Sequence, residues 1–151
     1  MKNKKVGIIG VGNVGSTIAN NLATKAMCSE IVLRDIRMNY TQAMALDISQ
    51  ASNAAKSHTK VVMSKDASDL KGCDIVVITA GITRKPGMSR NDLLLTNNKI
   101  MSSIITDIKD NCPEAILIIV SNPLDAMVYA ALKSSGFNRT KVIGMAGMMG
   151  A

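Results

Sequence analysis

The 151-residue chain has no tryptophan, one phenylalanine, two tyrosines and one histidine. Only Tyr40, Tyr129 and Phe137 could stack on nucleobases, and they lie far apart in the sequence. The formal net charge of +7 comes from basic residues scattered between Lys2 and Lys141, with no run longer than Lys4-Lys5. This is a poor footprint for nucleic acid, which needs clustered cations and aromatic platforms. Cysteine is equally sparse. Cys28, Cys73 and Cys112 are odd in number, lack CxxC spacing and cannot complete a metal cluster with the lone His58, so neither a disulfide framework nor a metal site is expected. Reduced thiols in a cytoplasmic protein are the expectation. Apolar runs such as Ala115–Val120 fall far short of the roughly 20 residues that cross a bilayer. The basic start followed by Val6-Gly7-Ile8-Ile9-Gly10 superficially suggests a signal peptide, but Asn13 and the regularly placed glycines interrupt any apolar region, and no targeting segment is expected.

What is present is 47% hydrophobic and 19% charged sequence, suited to one globular domain that buries roughly 70% of its unfolded surface. Short β-branched runs alternate with stretches of helical periodicity, the pattern of βαβ units and a parallel sheet. Strands are predicted at Lys5–Gly10, Glu30–Asp35, Lys60–Met63, Asp74–Ala80, Ala115–Val120 and Lys141–Gly144. Several are continuously apolar, as strands covered on both faces should be. Helices are predicted at Val14–Lys25, Asn39–Lys56, Arg90–Asn111 and Leu124–Ser135. Only the short segment Ser64–Cys73 joins the third and fourth strands, with Lys71-Gly72 as a turn. Pro113 ends the helix before the fifth strand, and Gly136 suits a helix stop before the sixth. The fold class expected is α/β, a doubly wound six-stranded parallel sheet of order 3-2-1-4-5-6.

The first strand ends in Gly10-Val11-Gly12-Asn13-Val14-Gly15 and passes directly into helical sequence. In a G-x-G-x-x-G of this kind the first glycine permits a tight turn. The second admits a pyrophosphate close to the backbone, and the third allows close helix–strand packing. The helix N-terminus adds unpaired N–H groups and partial positive charge. Asp35 stands 20 residues after Gly15, at the end of the second strand. A carboxylate there accepts hydrogen bonds from ribose hydroxyls and repels a 2′-phosphate, which favours NAD over NADP. Arg34 and Arg37 flank it and read equally as phosphate partners or as solvated residues at a strand edge. A purely structural glycine turn and an S-adenosylmethionine site remain the alternatives to a dinucleotide.

The fourth strand runs into Thr79-Ala80-Gly81 and then Ile82-Thr83-Arg84-Lys85-Pro86-Gly87-Met88-Ser89-Arg90, a polar, basic surface loop around a Pro-Gly pair. Arg84 and Arg90 are six residues apart on it, and each guanidinium can form paired, directional bonds with a carboxylate.

From end to end the sequence resembles the N-terminal half of NAD-dependent malate and lactate dehydrogenases. The residues that carry the resemblance are the glycine turn, Asp35, Ile78-Thr79-Ala80-Gly81, Arg84-Lys85-Pro86-Gly87-Met88-Ser89-Arg90, Val120-Ser121-Asn122-Pro123-Leu124-Asp125 and Val142-Ile143-Gly144-Met145-Ala146-Gly147. The resemblance implies a Rossmann domain binding NAD through Gly10, Gly12, Asn13, Val14, Gly15, Asp35, Thr79, Ala80, Gly81, Asn97, Ser121 and Asn122. It also implies substrate contacts from Arg84, Arg90 and Asn122. Arg90 would polarise the substrate carbonyl as the loop closes. Arg84 would pair with the second carboxylate of a dicarboxylate, malate or oxaloacetate, where lactate dehydrogenases typically carry glutamine. Asn122 would bond substrate and the nicotinamide side of the cofactor; it also reads as a turn residue before Pro123, whose peptide bond could be cis. Asn97 reads equally as a solvated helix residue.

In the resembled family the chain continues into a second domain that supplies the catalytic histidine, the aspartate orienting it and a further arginine. That aspartate usually follows two apolar residues after the Gly-Met-Ala-Gly segment, whereas here Met148-Met149 precede Gly150-Ala151. The expected division is therefore a cofactor domain over 1–147 and the start of a second domain over 148–151, with no catalytic acid–base residue in this chain and no turnover by it alone. His58 lies between the second helix and third strand, away from the strand ends where cofactor and substrate would meet. The alternatives are a non-catalytic NAD-binding or assembly module and lactate dehydrogenase-like 2-hydroxy acid specificity. In the resembling enzymes the helix corresponding to Asn39–Lys56, with Ala43, Ala45, Leu46, Ile48 and Ala51, packs on a neighbouring subunit, implying a homodimer or homotetramer. Packing on the chain's own sheet explains most of those positions.

Overall fold

The computed structural model describes residues 3–82 and 84–145. The elements run β1 (Lys5–Ile9), α1 (Asn13–Thr24), β2 (Glu30–Arg34), α2 (Met38–Ala54), β3 (Lys60–Met63), β4 (Ile75–Ile78), α3 (Arg90–Asn111), β5 (Ile116–Ile119), α4 (Leu124–Ser135) and β6 (Val142–Gly144). All strand pairs are parallel, in the order β3-β2-β1-β4-β5-β6. The connection from β3 to β4 returns the chain past β2 and β1, so the strand order reverses between β1 and β4. The crevice at the carboxyl ends of the strands, where ligands bind in such sheets, therefore opens at that switch point.

Alternating side chains feed two cores. Val6, Ile8, Ile31 and Leu33 face α1 and α2, while Val32, Val76, Ile78, Leu117 and Ile119 face α3 and α4. Both faces of the sheet are covered, which explains the continuously apolar strands. Helix α1 turns Gly15, Ala19 and Ala23 inward, a stripe of small residues at four-residue spacing that lets the helix axis approach the sheet closely. Helix α2 buries Thr41, Ala45, Ile48 and Ser52. Leu46 stays 57% exposed and Ala43 is exposed, so packing on the sheet accounts for only part of its apolar set.

β1, β2, β4 and β5 stop one or two residues earlier than predicted, while β3 and β6 end at Met63 and Gly144 as predicted. The N–H groups of Thr79 and Ala80 both turn back to the carbonyl of Ile9, ending β4 at Ile78. Helix α2 ends at Ala54 because Lys56 takes a left-handed φ of +59°. The connection Ser64–Cys73 holds a 3-10 turn, Ala67–Leu70, that periodicity did not disclose; reciprocal side-chain bonds between Asp66 and Asp69 and the facing backbone N–H groups cap it. Gly72 makes the predicted turn with φ +83°, and Gly136 stops α4 with φ +67°. A second 3-10 turn, Arg139–Lys141, leads into β6.

All three thiols are buried. Burial, with a smaller contribution from Cys112, pushes Cys73 up to about 12, and burial pushes Cys112 up to about 11. Both remain protonated near neutrality and act as small apolar side chains. Among the described residues no helix is long and apolar enough to cross a membrane, and no cluster of His, Cys, Asp and Glu could hold a metal. The expected boundary at 147 and the segment 148–151 lie outside the described residues, as do Ala146 and Gly147.

Candidate functional site

The glycine turn is shaped by contacts that only glycine allows. Gly10 has φ +99°, and a Cβ there would lie 2.5 Å from the Ala80 nitrogen and 2.7 Å from Thr79 Oγ1. A Cβ on Gly15 would collide with the Gly10 carbonyl oxygen, so α1 can rest on the end of β1 only without one. A Cβ on Gly12 would meet nothing within 4 Å. That position faces open space, where backbone can approach a ligand. Gly12 is also the N-cap of α1, with no side-chain cap and no acidic residue in the first turn. The amides of Asn13, Val14 and Gly15 thus lack intrahelical acceptors, which together with the helix dipole makes an anion site.

Asp35 follows β2 and lies against this turn. Its Oδ2 accepts from the Val11 N–H at 2.8 Å, and its Oδ1 from the Arg37 N–H at 3.0 Å. The Arg37 side chain adds Nε to Oδ1 at 3.2 Å and Nη2 to Oδ2 at 3.1 Å. Desolvation raises the carboxyl pKa, but the bonds from Arg37 and Val11 outweigh it and hold the group below its ordinary value. Asp35 is thus ionised at neutral pH. Arg34 points elsewhere, to Ser64 Oγ at 2.9 Å and Asp107 at 3.4 Å. It is tied across the sheet edge rather than solvated.

Beside the turn, Val14, Thr79, Ala80, Gly81, Ile82, Val120, Ser121 and Asn122 line a cleft of about 140 Å³. Its walls are braced by side chains bonded to backbone. Thr79 Oγ1 donates to the Gly10 carbonyl at 2.7 Å, and Ser121 Oγ donates to the Ala80 carbonyl at 2.5 Å. The Asn122–Pro123 peptide is cis. Asn97, only 2% exposed, accepts from the Ile82 N–H at 2.9 Å and donates to the Ile82 and Asn122 carbonyls, each at 3.3 Å. It is no solvated helix residue. It ties the chain leaving β4 to the chain leaving β5. Asn97→Ala is therefore expected to lower the unfolding free energy by about 1–3 kcal/mol, since it removes the three hydrogen bonds of a buried side chain. Urea titration measures this, and a loss below about 0.5 kcal/mol would contradict the bracing role.

Beyond the cleft the chain enters the arginine loop. Lys85-Pro86-Gly87-Met88 forms a turn closed by the Met88 N–H to the Lys85 carbonyl at 3.0 Å, with Gly87 at φ +82°. This is a type II turn, with proline and glycine where that turn wants them. Arg84 Nε bonds the Met88 carbonyl at 3.1 Å. Ser89 caps α3 through a reciprocal pair with Asp92, 3.0 and 3.2 Å, and Arg90 is the first helical residue. Both arginines are exposed, and neither is ion-paired among the described residues.

The structure brings Gly10, Gly12, Asn13, Val14, Gly15, Asp35, Thr79, Ala80, Gly81, Asn97, Ser121 and Asn122 to the carboxyl edge of the sheet, with Arg84 on the loop that follows β4 and Arg90 at the start of α3. His58 is exposed just before β3, at the opposite edge. Nothing in the motifs marks Ile82 and Val120 as cleft walls or the Val11 N–H as a donor to Asp35. Their places directly after the strand ends were the available signal.

The donor set fits a dinucleotide: an uncapped helix start and a Cβ-free approach for a pyrophosphate, an ionised carboxylate for ribose, and an apolar-walled cleft beside them. Comparison with known proteins agrees. The family model for the lactate/malate dehydrogenase NAD binding domain matches residues 4–144. Malate dehydrogenase of Aliarcobacter butzleri is 58% identical over 149 residues, 99% of this chain and 48% of the relative. Apo malate dehydrogenase from Picrophilus torridus superposes with a TM-score of 0.90 at 38% identity, covering 95% of this chain and 46% of that one. Malate dehydrogenase from Archaeoglobus fulgidus in complex with NADH gives 0.89 at 40% identity, covering 93% and 48%. The chain spans about half the length of the curated relatives it matches. By its glycine turn, its sheet order and these matches, the chain belongs to the lactate/malate dehydrogenase family as the NAD-binding domain.

Proposed function

We propose that this domain serves a malate dehydrogenase, in which malate and NAD are converted reversibly to oxaloacetate, NADH and a proton. The observation that carries the choice of a dicarboxylate is Arg84, an exposed guanidinium on the loop beside the cleft, with no carboxylate partner among the described residues. NAD supplies the hydride acceptor when bound, and the domain's residues orient and clamp. The amides at the start of α1 hold the pyrophosphate, and Asp35 holds the adenosine ribose. Asn122 positions substrate and the nicotinamide side. Arg90 polarises the substrate carbonyl while Arg84 pairs with the distal carboxylate.

Reversible exchange at a hydroxyl also needs a proton acceptor tuned near neutrality. His58, at the wrong edge of the sheet, does not meet that need. The acid–base pair is accordingly assigned to a second domain that begins after residue 147. We read the full enzyme as a cytoplasmic homodimer or homotetramer; the outward Ala43 and Leu46 of α2 support the association of subunits. Fluorescence titration of the 151-residue chain with NADH should give saturable, weak binding. A malate oxidation assay on the same protein should give no turnover. Absence of NADH binding, or malate oxidation above a contaminant control, would overturn the respective half of this reading.

A further inference from the structure

A carboxylate offers about four lone-pair positions, and those of Asp35 all have donors within the chain. Two of the donors are backbone. The Val11 N–H belongs to the glycine turn, and the Arg37 N–H sits at the N-cap of α2, whose carbonyl accepts from Thr41 N at 2.9 Å. These are held by secondary structure and keep the carboxylate in place. The other two, Nε and Nη2, belong to one side chain, 52% exposed, whose guanidinium lies 4.2 Å from the centre of the Tyr40 ring. A ribose diol brings two hydroxyls and needs two acceptor positions. The two that can be released are those covered by the Arg37 side chain.

Resting on the reading of this site as the adenosine-ribose subsite, we infer that Arg37 is a cofactor-specificity residue. Its side chain competes with the ribose diol for Asp35 and, once displaced, offers its guanidinium to a 2′-phosphate, so that the chain separates NAD from NADP less sharply than Asp35 alone would. The Arg37 side of this pair is half exposed, so its guanidinium can leave Asp35 when a ligand arrives, and Tyr40 gives the released guanidinium a surface to rest on. Asp35 keeps its charge and repels a 2′-phosphate, and a guanidinium within reach offsets that repulsion with directional, charge-assisted bonds. Arg34, the other candidate, is held by Ser64 and Asp107, so the compensating charge falls to Arg37 alone.

Titrating the chain with NADH and with NADPH, as wild type and as Arg37→Ala, tests this by binding. Releasing Asp35 should tighten NADH by about two- to fivefold. Losing the guanidinium should weaken NADPH by about tenfold. The preference for NADH over NADPH should thus rise by more than about tenfold. Arg37→Gln, which keeps an amide donor without the charge, should move the preference in the same direction, and thermal unfolding of both variants checks that α2 still forms. A preference unchanged within about twofold in both variants, or weaker NADH binding on removing Arg37, overturns the inference while leaving NAD binding standing. Failure of wild type and variants to bind either cofactor overturns the subsite reading and this inference with it.

Discussion

Gly15→Ala is expected to destabilise the domain by about 3–5 kcal/mol, a large part of the 5–15 kcal/mol that holds a domain of this size. The added methyl would collide with the Gly10 carbonyl oxygen and come within 3.0 Å of the Gly10 carbonyl carbon and Thr79 Oγ1. Neither side can retreat cheaply. The Gly10 carbonyl is held by Thr79 Oγ1 at 2.7 Å, and the Gly10 N–H by the Arg34 carbonyl at 2.9 Å. Helix α1, for its part, is anchored in the core by Ala19 and Ala23, both 0% exposed. Lifting the helix would open the core beneath these alanines, and keeping it down would force backbone overlap. Urea unfolding of the two proteins reads the difference, and a loss under about 1 kcal/mol would show that the turn is softer than its contacts indicate. Gly12→Ala provides the contrast. Its methyl meets nothing within 4 Å, so stability should stay within about 1 kcal/mol. NADH binding should nevertheless weaken by about tenfold or more if, as proposed, the pyrophosphate approaches the backbone there.

Arg84→Gln in the full-length enzyme is expected to shift the ratio of kcat/KM for oxaloacetate over pyruvate by about a thousandfold towards pyruvate. A site that pairs a buried substrate charge rejects the analogue without it by several orders of magnitude, and removing the guanidinium removes the basis of that rejection. The shift should reside in Arg84 and not Arg90. Arg84 is presented by the loop through the single Nε bond to Met88, leaving its terminal nitrogens to a ligand. Arg90 begins α3 and would act on the carbonyl that both substrates share. Steady-state kinetics with the two keto acids measures the ratio, and an unchanged preference would remove Arg84 from the role of dicarboxylate selector.

Much of the architecture was legible in the sequence. Strand and helix identities depend on local periodicity and on breakers such as Pro113 and Gly136, whose backbone consequences reach only a few residues. The 3-10 turn at Ala67–Leu70 was not legible, because its cap is a reciprocal pair of aspartates, Asp66 and Asp69, that read equally as carboxylates facing water. Asn97 was ambiguous for a similar reason. An asparagine within helical sequence is neutral evidence until the carbonyls of Ile82 and Asn122 are brought to it.

By itself the sequence determined the six strands, their likeness to a family, the glycine positions and the placing of Asp35, Arg84 and Arg90 after strand ends. Tertiary structure alone decided the partners. Thr79 bonds Gly10 from 69 residues away, Ser121 bonds Ala80 from 41, and Arg34 turns to Asp107 from 73. Because Arg34 is drawn away to Ser64 and Asp107, it is Arg37, two residues from Asp35, that holds the carboxylate. The physical reason is range. Sterics and hydrophobic period act along the chain and are written in neighbouring residues, whereas a hydrogen bond goes to whichever acceptor the completed sheet presents, and that contest exists only once the strands have aligned.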